Sequence, residues 1–225
     1  MTTKSPTITS EQYSTLDEAY RHFNKTLFNN KLPQCMILLH RKGKNNLGYF
    51  HPERFAERAQ VAQREAKKIK ASDIKYIDEL SLNPDNFIGY SDTAILSTLA
   101  HEMAHVWQYR CTEKYPRNGY HDKVWGRKMI EIGLMPSNTG KEGGKQTGQQ
   151  MHHYIIENGK FETQALIFLK KHSIKATSFP LSKNSTSQKK NKVKYSCPSC
   201  EQNAWAKPEA KLICGECEEI MEAVS

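Results

Sequence analysis

The stretch Ser97–Arg110, STLAHEMAHVWQYR, constrains this chain more than any other. His101 and His105 are four residues apart, a spacing that puts both imidazoles one turn apart on the same face of an α-helix. Glu102 follows His101 and leans over the same place without taking a ligand position. Ile95, Leu96, Leu99, Ala100, Met103 and Val106 recur at helical spacing, so the segment is predicted to be a helix with one side in the core and Asp92 as its N-cap. Such a helix needs a fold that buries its apolar side and opens a cleft over its histidines. It also needs a third ligand from elsewhere, because a catalytic zinc takes three protein ligands and keeps a fourth position for water.

Three positions compete for that role. The long-spaced zincin pattern requires glycine at 108 and histidine at 111, where this chain has Gln108 and Cys111, so that pattern is excluded. A glutamate on a following helix would be Glu131. His121, in NGYHDKVWGRKM, stands where a loop meets the next helix and can fold back toward the cleft. His121 is the preferred third ligand.

The other segments read as a mixed fold. Residues 1–13 are expected to be disordered. A helix is predicted from STLDEAYRHF, with Ser14 or Thr15 as N-cap and Leu16, Tyr20, Phe23 and Leu27 on its buried face. CMILLH (35–40) and the segment after NNLG (45–48) read as strands joined by a hairpin-like RKGK. YIDELSLNP (76–84) reads as a strand with Ile77, Leu80 and Leu82 inward. The charged stretch 52–72 suits an exposed helix or a mobile insertion. A further helix is predicted from about His121 to Ile132, and HHYIIENGKFETQALIFL is expected to form a hairpin about ENGK. The domain of interest therefore spans 14–177, followed by a Ser-, Lys- and Asn-rich linker at 178–194 and a small module at 195–225.

That last module is defined by Cys197, Cys200, Cys214 and Cys217, two C-x-x-C pairs separated by thirteen residues. The spacing suits two knuckles closing on one zinc, and four thiolates leave no place for water, so this site is read as structural. So short a segment cannot build an adequate core, and the metal has to supply its folding free energy. Trp205 between the knuckles is expected to cover the zinc site, with base stacking the alternative. Cys35 and Cys111 read as partly buried free thiols.

The chain carries +9 overall: +8 in residues 1–177, +5 in the linker, and −4 in the cysteine module. A nucleic acid would accordingly be drawn to the body and linker, not to the tail. No apolar run approaches the ~20 residues of a membrane span, and the first residues lack the apolar stretch of a secretory signal. A cytoplasmic monomer without membrane contact is expected, nucleoid-associated in a prokaryote and nuclear in a eukaryote.

FNNKLP, LSLNP, LAHEMAHVWQ and GYHDKVWGRKM, in that order over roughly 14–135, resemble the SprT-like metalloproteases, the group that includes Spartan. The resemblance implies an α+β, zincin-like domain of helices packed on a small sheet, followed by a Cys₄ zinc ribbon. It places the catalytic zinc on His101, His105 and His121 and the catalytic base on Glu102. It further implies a protease acting on DNA-associated or DNA-crosslinked proteins. Asp122 stands where the family usually has glycine, which leaves the ligand intact but bears on the charge or orientation near His121. In the zinc-dependent reaction Glu102 would take a proton from the attacking water and pass it to the leaving amine. Tyr120 is the guess for a group stabilising the oxyanion. The contrasting reading is a nucleic-acid-binding or transcription-associated protein whose two zinc sites are both structural; Glu102 argues against it. Proteolysis with no role for DNA is a third.

Overall fold

The computed structural model describes residues 5–41, 46–113, 115–117, 119–175 and 192–224. The chain divides into two compact units, 1–179 and 180–225.

The first unit is a layer of helices on a small sheet. Helix α1 (Ile8–Leu27) buries Leu16, Ala19, Tyr20, Phe23 and Leu27, the spacing the sequence predicts. It starts six residues before Ser14, however, because the Thr7 side chain caps it by accepting from Ser10 N at 3.2 Å. The added turns are held by a distant partner: buried Gln12 accepts from Lys175 N at 2.8 Å. Order in residues 8–13 thus replaces the expected disorder; residues 1–4 lie outside the described set.

Strands β1 (Cys35–Leu39), β2 (Gly48–Ala56) and β3 (Tyr76–Leu82) form one sheet in the order β1-β3-β2. The expected β1–β2 hairpin does not form. β3 lies between them, parallel to β1 and antiparallel to β2. The central place goes to the strand that is buried on both faces, and β3 is buried at five successive positions, Asp78 to Leu82. Ile77 is only half-buried, so the inward apolar residues are Leu80 and Leu82. β2 runs on to Ala56 through an irregularity between His51 and Phe55, and α2 (Arg58–Glu65) follows with no buried residue. An exposed helix is therefore found in that charged stretch, but over 58–65 only, since 52–56 belong to β2; the 42–45 connection lies outside the described residues.

Helix α3 (Asp92–Cys111) carries the histidine motif. Its N-cap is Ser91, whose hydroxyl accepts from Ala94 N, so Asp92 becomes the first helical residue. Ile95, Leu96, Leu99, Ala100, Met103 and Val106 pack in the main core with α1, β3 and the neighbouring helices. Each of the larger of these buried side chains contributes about 1.5–3 kcal/mol, enough to hold the polar residues on the other side of the helix in place. Helix α4 (Lys123–Ile132) is capped by Asp122, whose carboxylate accepts from Val124 N and Trp125 N. Gly133 ends it at φ 97°, and a Cβ there would come within 2.7 Å of Phe161 N, so only glycine fits.

β4 (Leu134–Ser137) then pairs antiparallel with β5 (His152–Ile155). The segment after β5 departs from expectation: a turn at 156–159 leads into helix α5 (Lys160–Leu169), not a second hairpin strand. Phe161, Ala165 and Phe168 are its buried residues, at i, i+4 and i+7, and they join Phe23 of α1 in the core. That helical spacing overrides the β propensity of the sequence.

The second unit is an antiparallel sheet of β6 (Val193–Ser196), β7 (Asn203–Ala206) and β8 (Glu222–Val224), in the order β7-β6-β8. Lys194 belongs to β6, so regular structure begins at Val193, inside the expected linker; residues 178–191 of that linker lie outside the described set. The buried core is Tyr195, Cys197, Cys214 and Met221. Trp205 does not cover the cysteines: it is 61% exposed, while its neighbours Ala204 and Ala206 pack inward. The architecture is α+β with a four-cysteine ribbon, and no helix among the described residues is long and apolar enough to cross a membrane.

Candidate functional site

Packing brings the three proposed ligands together. One ring nitrogen each from His101, His105 and His121 lie within 4.8 Å of one another. His101 and His105 come from adjacent turns of α3. His121 is held by the backbone: its N donates to Gly148 O (2.8 Å), Gly148 N donates back to His121 O (3.0 Å), and its Nδ1 lies 3.3 Å from the same Gly148 carbonyl. A carbonyl only accepts, so Nδ1 carries the hydrogen and Nε2 is left bare. That Nε2 faces His105 Nε2 at 3.1 Å.

Trp125, fully buried on α4, forms the floor. It stacks on His105 (5.2 Å between centroids, 17°) and meets His101 and His121 edge-on at 4.9 and 4.4 Å. The spacing of α4 reads this residue simply as core, and nothing local distinguishes the two roles. Asp122 is also explained: besides capping α4 it accepts from Gln108 Nε2 at 2.8 Å, tying α4 to α3. Glu131 is exposed and paired with Lys128 at 2.9 Å, so it takes no part in the site.

Electrostatics suit a cation. Burial, then the neighbouring His153, His105 and His121, push His101 well below the usual imidazole value, and burial and His121 do the same to His105. Burial also lowers His121, against the opposing pull of the Gly148 carbonyl. Three neutral imidazoles with converging nitrogens form a donor set that fits zinc. Glu102, 5% exposed, is raised by burial to about 8. Gly48 of β2 lies against it: a Cβ on that glycine would come within 3.0 Å of Glu102 Oε1.

The histidines and Glu102 line a cleft of about 1370 Å³ whose walls include Tyr49, Phe50, Tyr90, Tyr115, Tyr120 and Tyr154. Tyr120 does reach this cleft, under the guanidinium of Arg117 at 5.2 Å. In the second unit, Cys197, Cys200, Cys214 and Cys217 offer sulfurs within 4.8 Å of one another, a second set that fits zinc.

A protein from Salmonella typhimurium described as "Uncharacterized protein in mucB 3'region" is similar to this chain, 46% identical over 50 residues. That segment is 22% of this chain and 66% of the relative, so slightly less than two thirds of the relative is spanned. No solved structure matches the chain. The family model described as SprT-like matches residues 16–143, from within α1 to the loop beyond β4. That is more than half of the sequence and includes both the α3 motif and His121, and the chain accordingly belongs to the SprT-like family of predicted metallopeptidases.

Proposed function

We propose that this protein is a zinc-dependent endopeptidase whose metal is held by His101, His105 and His121 and whose general base is Glu102, and that its substrates are proteins bound or crosslinked to DNA. The observation that carries the reading is a buried glutamate placed beside three converging, neutral histidines in an open cleft. A purely structural site has no use for a base in that position.

Zinc held there would supply Lewis acidity toward the scissile carbonyl and a positive charge favouring the ionised form of Glu102. Glu102 accepts one proton from the attacking water as the carbon–oxygen bond forms. It returns that proton to the amide nitrogen as the carbon–nitrogen bond breaks, leaving a carboxyl product and an amine. Burial makes this carboxylate a stronger base than a solvated one. Trp125 and the Gly148 carbonyl keep the histidine rings from turning. In the ribbon, the four cysteines would hold a second, structural zinc.

The DNA part of the proposal rests on charge: +8 in the first 177 residues and five lysines in residues 178–194. The test is cleavage of a DNA-bound protein by wild type and Glu102→Gln, with and without single-stranded DNA, at two salt concentrations. Glu102→Gln should keep two zinc ions and its helical content and lose roughly 10²–10⁴-fold in rate. Cleavage by Glu102→Gln at the wild-type rate refutes the peptidase reading. Cleavage that ignores DNA and salt refutes the DNA-directed one alone.

A further inference from the structure

A fourth histidine lies behind the triad. His153, on β5, falls beyond the segment that the SprT-like model matches. Its Nδ1 is 3.1 Å from Nδ1 of His101, and its Nε2 is 2.9 Å from Ser97 Oγ. Ser97 sits one turn before His101 on α3, and its hydroxyl donates to Ala94 O at 2.8 Å.

The hydrogens along this row follow from its last member. Ala94 O can only accept, so it takes the single hydroxyl hydrogen of Ser97. Ser97 Oγ is then an acceptor toward His153, which places a hydrogen on His153 Nε2. Two hydrogens cannot lie between Nδ1 atoms 3.1 Å apart. His153 Nδ1 is therefore bare and accepts from His101 Nδ1–H. His101 is left with its Nε2 lone pair free, which is what a metal ligand requires.

We propose that His153, backed by Ser97, is the positioning residue that selects the Nδ1–H tautomer of His101 and orients its ring for metal binding. The role differs from that of the Gly148 carbonyl behind His121, because a histidine acceptor works only if its own far nitrogen is given a hydrogen-bond acceptor. Ser97 provides it. Outer partners of this kind commonly change metal affinity 10–100-fold when removed. This inference rests on the metal-site reading proposed above.

The test uses the full chain, with zinc affinity measured by chelator competition and ring protonation by ¹⁵N NMR. Wild type should show His101 protonated at Nδ1 and His153 at Nε2 in the metal-free state. His153→Phe, which removes the acceptor, should weaken zinc binding at the histidine site about 10–100-fold. His153→Asn, with an amide oxygen near the former Nδ1, should restore most of that loss. Ser97→Ala should weaken binding less than His153→Phe and leave the His153 ring as a mixture of tautomers. His101 found protonated at Nε2 in wild type overturns the proposal, even if His153→Phe fails to fold. Zinc binding by His153→Phe within about twofold of wild type, while His101→Ala loses it, overturns the positioning role alone. If wild type and His101→Ala hold the same zinc equally well, the metal site fails, and the positioning role with it.

Discussion

Gly48→Ala is the substitution whose outcome the structure dictates most directly. A Cβ at this position would lie 2.9 Å from Ser81 O, in the backbone of the central strand, and 3.0 and 3.1 Å from Oε1 and Cγ of Glu102. Ordinary van der Waals contact begins near 3.4 Å, so about 0.3–0.5 Å must be found. The Ser81 carbonyl cannot give way without parting β2 from β3, where Gly48 is in register with Leu82 and Tyr49 with Ser81. Overpacking of this kind costs about 1–3 kcal/mol. Glu102 is the softer neighbour, and displacing the proposed general base by about 1 Å would cost on the order of 10²-fold. A shift of half that size predicts a fall in kcat/KM of about tenfold, with zinc affinity little changed because no ligand moves. The control is Gly126→Ala on α4, where the new methyl would meet Gln146 O at 3.5 Å and Pro136 Cγ at 3.9 Å. There a helix-interior glycine is replaced without a clash, and stability should rise by about 0.5–1 kcal/mol. Urea unfolding, zinc titration and cleavage kinetics on both variants are the assays. Gly48→Ala with wild-type stability and kcat/KM within about twofold would refute the close-approach argument.

Two further outcomes follow from the same packing. Among the described residues, the ribbon's buried core consists of Tyr195, Cys197, Cys214 and Met221, against twenty-five residues in the main core, so chelation should collapse the NMR dispersion of residues 192–224 and leave the helical circular dichroism of the body nearly intact; simultaneous loss of both would show that the body also requires metal to fold. Burial works against ionised Glu79, but hydrogen bonds from Tyr49 and Ser81 and the charges of His51 and Arg54 outweigh it, so its carboxyl lies below the usual value. A lowered folded-state value contributes stability above the unfolded pKa and loses it as pH falls through the folded one, so Glu79→Gln should show a shallower loss of stability below about pH 4.5 than wild type. Parallel acid-denaturation curves for the two proteins would refute that assignment.

Local pattern carried much of this protein. The i, i+4 pair His101 and His105, the glutamate between them and the apolar stripe beside them lie within one helix, where the geometry is determined by 3.6 residues per turn. The two C-x-x-C knuckles are equally local, and their four sulfurs do converge. Capping shows the limit of such reading: Ser91, not Asp92, caps α3, a difference of one residue that only backbone dihedrals settle. Tertiary structure decided everything that depends on chain segments far apart in sequence. β3 entered the sheet between β1 and β2 because a strand buried at five consecutive positions needs a neighbour on each side. Gln12 holds the first turns of α1 through distant Lys175. ENGK opens a helix because Phe161, Ala165 and Phe168 have the Phe23 surface to fill. Trp125 beneath His105, Gly48 against Glu102 and His153 behind His101 leave no mark in a local window, since each reaches α3 from 20 to more than 50 positions away. The motif therefore specifies which side chains are available to the site, and the fold specifies which way their rings face.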